Sequence, residues 1–372
     1  MKKQRNNPPT DSTGVVYYYN SSSFSLLSPF SGLRLLIFGL IFIVGCSQSP
    51  EQQRDAFLLK GNIQLEEGEY QEAIRYYNEA IQLDPNAADA YNNRGIAYTN
   101  LGRFPEAITD YTRAIQSRSG NTDAYFNRAD AYQQNGNYQR SLADLDTVLR
   151  YYPDSAYVHF SQGLAFSGLQ QYNEAQRAFT EAIRLDSSNA ESWVNRGTSY
   201  YYEQRYDVAQ QDLREAIRRS PNESNAYNVL GLIYTDMQQY DSAQAAFSQA
   251  LALEPYQPYF LNNRAYLYLQ TDSLPLAEVD LKTSMRLDPQ NSYVYRNQGV
   301  LFLKKNRPED ALRLMERAAE LDSTTQDIYY YLGNAYQKLG QVENACSAWE
   351  QSLKTGNEKA DEMIQEYCSS DV

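Results

Sequence analysis

Three cysteines, a lone histidine, one close pair of aspartates and a row of asparagines are the residues of this 372-residue chain that could carry chemistry. Cys46, Cys346 and Cys368 are odd in number and the first stands far from the other two, so separate roles are expected. With His159 as the one imidazole, Ser–His triads, imidazole proton shuttles and multi-histidine metal sites lack their parts. Asp144 and Asp146 lie two apart, hence on different faces of a helix, and read as ordinary surface acids. No Gly-rich phosphate loop, Cys-x-x-Cys pair or nucleophile elbow occurs. The expectation is a protein that is not an enzyme, takes no cofactor, metal or small-molecule substrate, and would owe any activity to a partner. Lys and Arg number 33 against 46 Asp and Glu, a net charge of −13; phosphate backbones repel such a surface, so nucleic acid is not an expected partner.

The elements that must position these residues begin with Leu35 to Gly45, LLIFGLIFIVG, an uncharged run between Arg34 and Cys46. As a helix it would extend about 16 Å, half the hydrocarbon core of a bilayer, so it cannot span alone; its layout is that of a secretory signal. Ile43-Val44-Gly45-Cys46 resembles the lipobox of bacterial lipoproteins. That resemblance implies a diacylglycerol on Cys46, cleavage before it and acylation of the new amine. Residues 1–33, with Tyr17-Tyr18-Tyr19 and Ser21-Ser22-Ser23, are longer than the usual leader of such a signal, which leaves open a start downstream of Met1. Loss of residues 1–45 would remove four basic residues and Asp11, taking the charge from −13 to −16. Anionic headgroups would repel that body, so attachment would depend on the acyl chains. Residues 46–53, Cys46 followed by SQSPEQQ, read as lipidated cysteine and flexible tether. The alternative is an uncleaved anchor or a buried cysteine, giving a non-lipidated cytoplasmic or inner-membrane adaptor.

From Arg54 the chain divides every 34 residues without an insertion, into nine units ending at Lys359. Position 8 is always Gly or Ala, from Gly61 and Gly95 to Gly333; position 20 is always small, from Ala73 to Ala345. Position 24 is large and apolar, from Tyr77 and Tyr111 to Trp349. Small against large predicts two closely packed helices per unit. Pro85, Pro153, Pro221, Pro255 and Pro289 stop the second helix, and Gly68, Gly102, Gly136 and Gly340 suit the turn between the two. Most tyrosines, and His159, fall where this packing needs them. The pattern over 54–359 resembles the tetratricopeptide repeat. The resemblance implies an all-α, right-handed α-solenoid of nine helix-turn-helix repeats, with 360–372 as capping helix and tail.

In such a solenoid, positions 2, 5, 6, 9, 12 and 13 of each first helix face a groove that binds other proteins or extended peptides. Position 6 is Asn93, Asn127, Asn195, Asn263 and Asn297. The row is similar to the asparagine ladder of O-linked N-acetylglucosamine transferases, whose amides pair with any peptide backbone; a merely solvated row is the other reading. Phe126, Phe160, Leu164, Val194, Tyr201, Leu232 and Tyr266 give the groove an apolar lining, part of it ordinary packing between repeats. Asp55, Asp89 and Asp123 make its first end acidic, with Glu191 and Asp327 further on, while Lys304, Lys305 and Lys338 lie toward the other end; a partner of basic character is expected. No position 2 carries Lys or Arg, so the two-carboxylate clamp of chaperone-tail binders is not reproduced.

Export would place Cys346 and Cys368 in an oxidising compartment. They lie ten residues before and twelve after Gly356, and a helical hairpin bent there would bring them level; a disulfide or two unpaired thiols both fit. The ending, with Ala345, Cys346, Trp349 and Cys368, also resembles that of many tetratricopeptide proteins of the Bacteroidetes. The combined expectation is a lipid-anchored scaffold of the cell envelope, facing the periplasm from the outer membrane.

Overall fold

The computed structural model describes residues 49–368, all of them in helices or the turns that join them. The first four repeats contain α1 (Pro50–Glu66), α2 (Tyr70–Leu83), α3 (Ala88–Asn100), α4 (Phe104–Ser117), α5 (Thr122–Gln134), α6 (Tyr138–Tyr151), α7 (Ala156–Gly168) and α8 (Tyr172–Leu185). The next five contain α9 (Ala190–Tyr202), α10 (Tyr206–Arg219), α11 (Ser224–Asp236), α12 (Tyr240–Leu253), α13 (Pro258–Gln270), α14 (Leu274–Leu287), α15 (Ser292–Lys304), α16 (Pro308–Leu321), α17 (Ile328–Lys338) and α18 (Val342–Lys354), with α19 (Lys359–Tyr367) last. Of the described residues, 49–165 belong to one compact unit and 166–368 to a second.

Local chemistry sets the boundaries. Helix α1 starts at Pro50 because Ser49 and Gln52 form a reciprocal capping box and proline suits the first helical position. The tether expected to reach Gln53 is therefore helical from Pro50 on. Position 15 takes positive φ in all nine repeats: Gly68, Gly102, Gly136 and Gly340, but also Gln170, Gln204, Gln238, Asp272 and Asn306 at 55–58°. In each, the next N–H reaches back five residues, as Arg205 N does to Tyr200 O at 2.9 Å, closing a Schellman turn that non-glycine residues also accept here. Helix α17 begins at Ile328, later in its repeat than the other first helices, because Asp327 at φ 58° interrupts the approach.

Within each unit the repeats are sealed along the seam between their two helices. A Cβ added to Gly61, Gly95, Gly231, Gly299 or Gly333 would meet the position-24 side chain at under 3 Å, so the small residue is a requirement of contact. Tyr77, Tyr111, Phe247, Met315 and Trp349 are buried on that seam. A second device was not foreseen. Arg94, Arg128, Arg196 and Arg264 at position 7 each form a bidentate pair with Asp110, Asp144, Asp212 and Asp280 at position 23, at 2.7–2.9 Å. Asp144 is thus no surface acid: it is buried and faces Arg128 across the seam. Three of these arginines also donate to the second helix of the preceding repeat, at Asn78, Thr112 and Thr180. One guanidinium so joins three helices.

The last repeat is closed by α19. Trp349 is fully buried among Ala345, Ala360, Met363, Ile364 and Cys368, and the Tyr367 ring lies 5.8 Å from it. Cys346 and Cys368 are bonded, with Cα atoms 5.7 Å apart. Gly356, at φ 89°, makes the bend that brings α19 back along α18.

Candidate inner-face binding site

Within each unit the first helices of successive repeats touch one another: α1 with α3 and α3 with α5 in the first unit, and α9, α11, α13, α15 and α17 in sequence in the second. Among the described residues of each unit, second helices of successive repeats make no approach of comparable extent. The first helices therefore form the inner layer of each unit, and their side chains line its inner face.

In the first unit that face carries a connected chain of amides. Asn93 Nδ2 donates to Asn62 Oδ1 at 2.9 Å, Asn92 Nδ2 to Asn93 Oδ1 at 3.1 Å, and Asn127 Nδ2 to Asn92 Oδ1 at 3.1 Å. These asparagines are half-buried. In the second unit the same device is buried: Asn263 donates to Asn228 at 3.1 Å and Asn297 to Asn262 at 2.9 Å, while Arg296 donates to Asn297 Oδ1. Asn195 instead returns to its own helix, at Glu191 O. Four of the five position-6 asparagines thus stitch a repeat to the one before it. Their spacing showed a shared face; the partner amide, 31 or 35 residues upstream, became evident with the packing of neighbouring first helices.

The apolar lining divides in two. Phe160, Leu164, Val194 and Leu232 are buried and belong to the core between repeats. Phe126, 5.1 Å from Tyr157 by ring centroid, together with Tyr201 and Tyr266, stays partly open on the inner face. Of the acidic end, Asp55 pairs with Arg54 and Asp89 with Arg118, whereas Asp123 is exposed. Lys304 and Lys305 hold Asp272 and Glu278 of the preceding repeat. His159 is half-buried with Nε2 3.0 Å from Pro153 O, the place where Trp193, Tyr227 and Tyr295 donate to Ser187, Pro221 and Pro289 carbonyls. Position 4 thus closes the turn that enters the repeat. Cys46 lies outside the described residues.

Two inner-face acids escaped the sequence reading. Asp130 at position 9 is half-buried; desolvation raises its carboxyl to about 6, opposed by a hydrogen bond from Gln134. Its signal was a charge at a position that is apolar in most repeats. Asp236 at position 13 ends α11, exposed, and its Oδ2 accepts from Tyr206 Oη at 3.4 Å. Desolvation raises this carboxyl too, although Tyr201 and Tyr206 donate to it. Burial raises Tyr201, and it pushes Tyr206 and Tyr266 up to about 12, so these phenols remain neutral donors at neutral pH.

Comparison with known proteins agrees with the repeat geometry. Models described as TPR repeat or tetratricopeptide repeat match residues 61–102, 88–121, 126–167, 161–221, 194–236, 224–257 and 296–361, together well over half the chain. Among solved structures, the APC/C hetero-tetramer Cut9-Hcn1 matches over 87% of this chain and 78% of its own, at 14% identity and a TM-score of 0.58. PilF of Pseudomonas aeruginosa matches over 58% of this chain and 99% of its own, at 19% identity and a TM-score of 0.49. YrrB, titled a TPR protein with an unusual peptide-binding site, matches over 47% and 92%, at 22% identity and 0.43. The family matches, the 34-residue period and the consecutive helix pairs lead to one conclusion: the chain belongs to the tetratricopeptide repeat family.

Proposed function

We propose that this protein is a lipid-anchored interaction scaffold of the bacterial cell envelope that holds an extended segment of a partner protein against its inner face. The observation that carries the binding half is the half-open amide chain of the first unit, Asn62, Asn93, Asn92 and Asn127, beside the partly open Phe126. Side-chain amides with unused donor and acceptor capacity suit a peptide backbone, and an adjacent ring supplies apolar contact. Asp123, Asp130 and Asp236 favour a partner of basic character. The scaffold would work by holding its partner, with no catalytic step of its own.

The anchoring half rests on Ile43-Val44-Gly45-Cys46 behind an apolar run, and on the Cys346–Cys368 bond, which fits an oxidising periplasm. The preferred location is the outer membrane, with the repeats facing the periplasm. Labelling cells with a fatty-acid analogue tests it: the account expects incorporation that Cys46→Ser abolishes, and incorporation that survives the substitution contradicts it. Affinity capture from detergent-solubilised membranes tests the binding half. Asn93→Ala with Asn127→Ala should weaken capture of the partner, and undiminished capture would remove the amide chain from the account.

A further inference from the structure

The inner face of the second unit differs from that of the first in having an exposed carboxylate among aromatic rings, and a binding role for that carboxylate rests on the peptide-holding function proposed for the scaffold. Asp236 lies at the end of α11, with Tyr206 Oη 3.4 Å from its Oδ2 and Tyr201 as a second hydroxyl donor. The Tyr201 and Tyr206 rings lie 6.1 Å apart by centroid, and Tyr202 stands 5.4 Å from Tyr201.

Phenolic hydroxyls orient a carboxylate without neutralising it. Asp272, Glu278 and Asp310 each have a Lys or Arg partner, but among the described residues none pairs with Asp236. Arg296, on the same face, donates to Asn297 Oδ1 and Gln326 O and lies over the Tyr266 and Tyr293 rings, 6.0 and 4.9 Å from their centroids, so it covers Tyr266 and, among the described residues, makes no ion pair with Asp236. An oriented carboxylate beside several π faces is the combination that attracts an organic cation, through an ion pair on one side and cation–π contact on the other. The net charge of −13 adds long-range attraction of the same sign.

We propose that Asp236, Tyr201 and Tyr206 form a subsite on the inner face of the second unit that takes the lysine or arginine side chain of an extended partner segment. The test selects short random peptides displayed on phage with the intact protein and with its Asp236→Asn form. The subsite requires the wild-type pool to be enriched in Lys or Arg and the variant pool to lose that enrichment. The strongest cationic peptide, measured by fluorescence anisotropy, should bind the variant about tenfold more weakly, as expected for loss of one desolvated charge pair. Its analogue with norleucine at the critical position should bind both forms alike. Tyr206→Phe supplies a second, smaller loss, and coincident melting curves show that each variant is folded. Peptides selected without cationic enrichment, or enrichment indifferent to Asp236→Asn, would overturn the subsite and leave peptide binding standing. If neither form selects peptides at all, both readings fall.

Discussion

The seam between the two helices of a repeat and the inner face across repeats use the same residue types in opposite ways. Along the seam, polar groups are closed on one another: in repeats two, three, five and seven, a half-buried arginine at position 7 meets a buried aspartate at position 23 in a bidentate pair. Repeat six places Leu230 and Ala246 at those positions and seals the same seam with apolar contact. On the inner face the asparagine bonds run between repeats, half-open in the first unit and buried in the second, and among the described residues Asp130 and Asp236 stand without a cation. The difference teaches that this family motif secures each repeat internally, which leaves chemistry on the inner face free to vary from repeat to repeat.

If the seam is a closed system, breaking one member must cost most. Asp212→Ala leaves the half-buried Arg196 without its counter-charge, and about 3 kcal/mol of stability should be lost in denaturant titrations. Arg196→Leu combined with Asp212→Ala copies the solution of repeat six and should recover most of that loss. Equal losses in the single and double variants would show that the pair is more than a substitute for apolar sealing. Reduction of Cys346–Cys368, separated by 22 residues, should cost roughly 3 kcal/mol on the chain-entropy model. Hydrogen exchange should then rise in α19 and α18 while α1–α6 stay unchanged, because solenoid stability is a sum of neighbour terms.

The inner face should answer more weakly and unevenly. Asn297→Ala strands the buried Oδ1 of Asn262 and removes an acceptor of Arg296, which should cost about 1–3 kcal/mol. Asn127→Ala exposes its partner Asn92 to water and should cost only a few tenths of a kcal/mol. The effect that depends on pH belongs to Asp130. The folded protein holds its proton up to about pH 6, above the ordinary 3.8, so native Asp130 binds protons more tightly than the unfolded chain does. Its contribution to stability therefore falls as pH rises from 3.8 toward 6. Asp130→Asn should raise the melting temperature slightly at pH 7 and leave it unchanged at pH 3.5, and a shift equal at both pH values would contradict the assignment.

Much of the architecture could be read from a single period. Positions 8, 20 and 24 predicted the close seam because size alternation over 34 residues is a direct trace of helix contact. The Arg–Asp pairs were equally present, since positions 7 and 23 change together from Arg/Asp to Leu/Ala. They were missed because Asp144 was judged by its own helix alone, where a neighbour two residues away says nothing about the facing helix. Glutamine at positive φ in three turns could not be foreseen from composition, which favours glycine there. The asparagine row was placed on the correct helices. Which amides remain open depends on the preceding repeat and on burial, and both are properties of the packed structure.

The central claim is that the inner face of the first helices is the binding surface. Hydrogen–deuterium exchange on the intact protein, with and without a saturating peptide from the phage selection, measures it directly. The account predicts slowed exchange in first helices, α3 and α5 or α9, α11 and α13, with the second helices that face away unchanged. Protection confined to second helices, or to the capping helix α19, would contradict it.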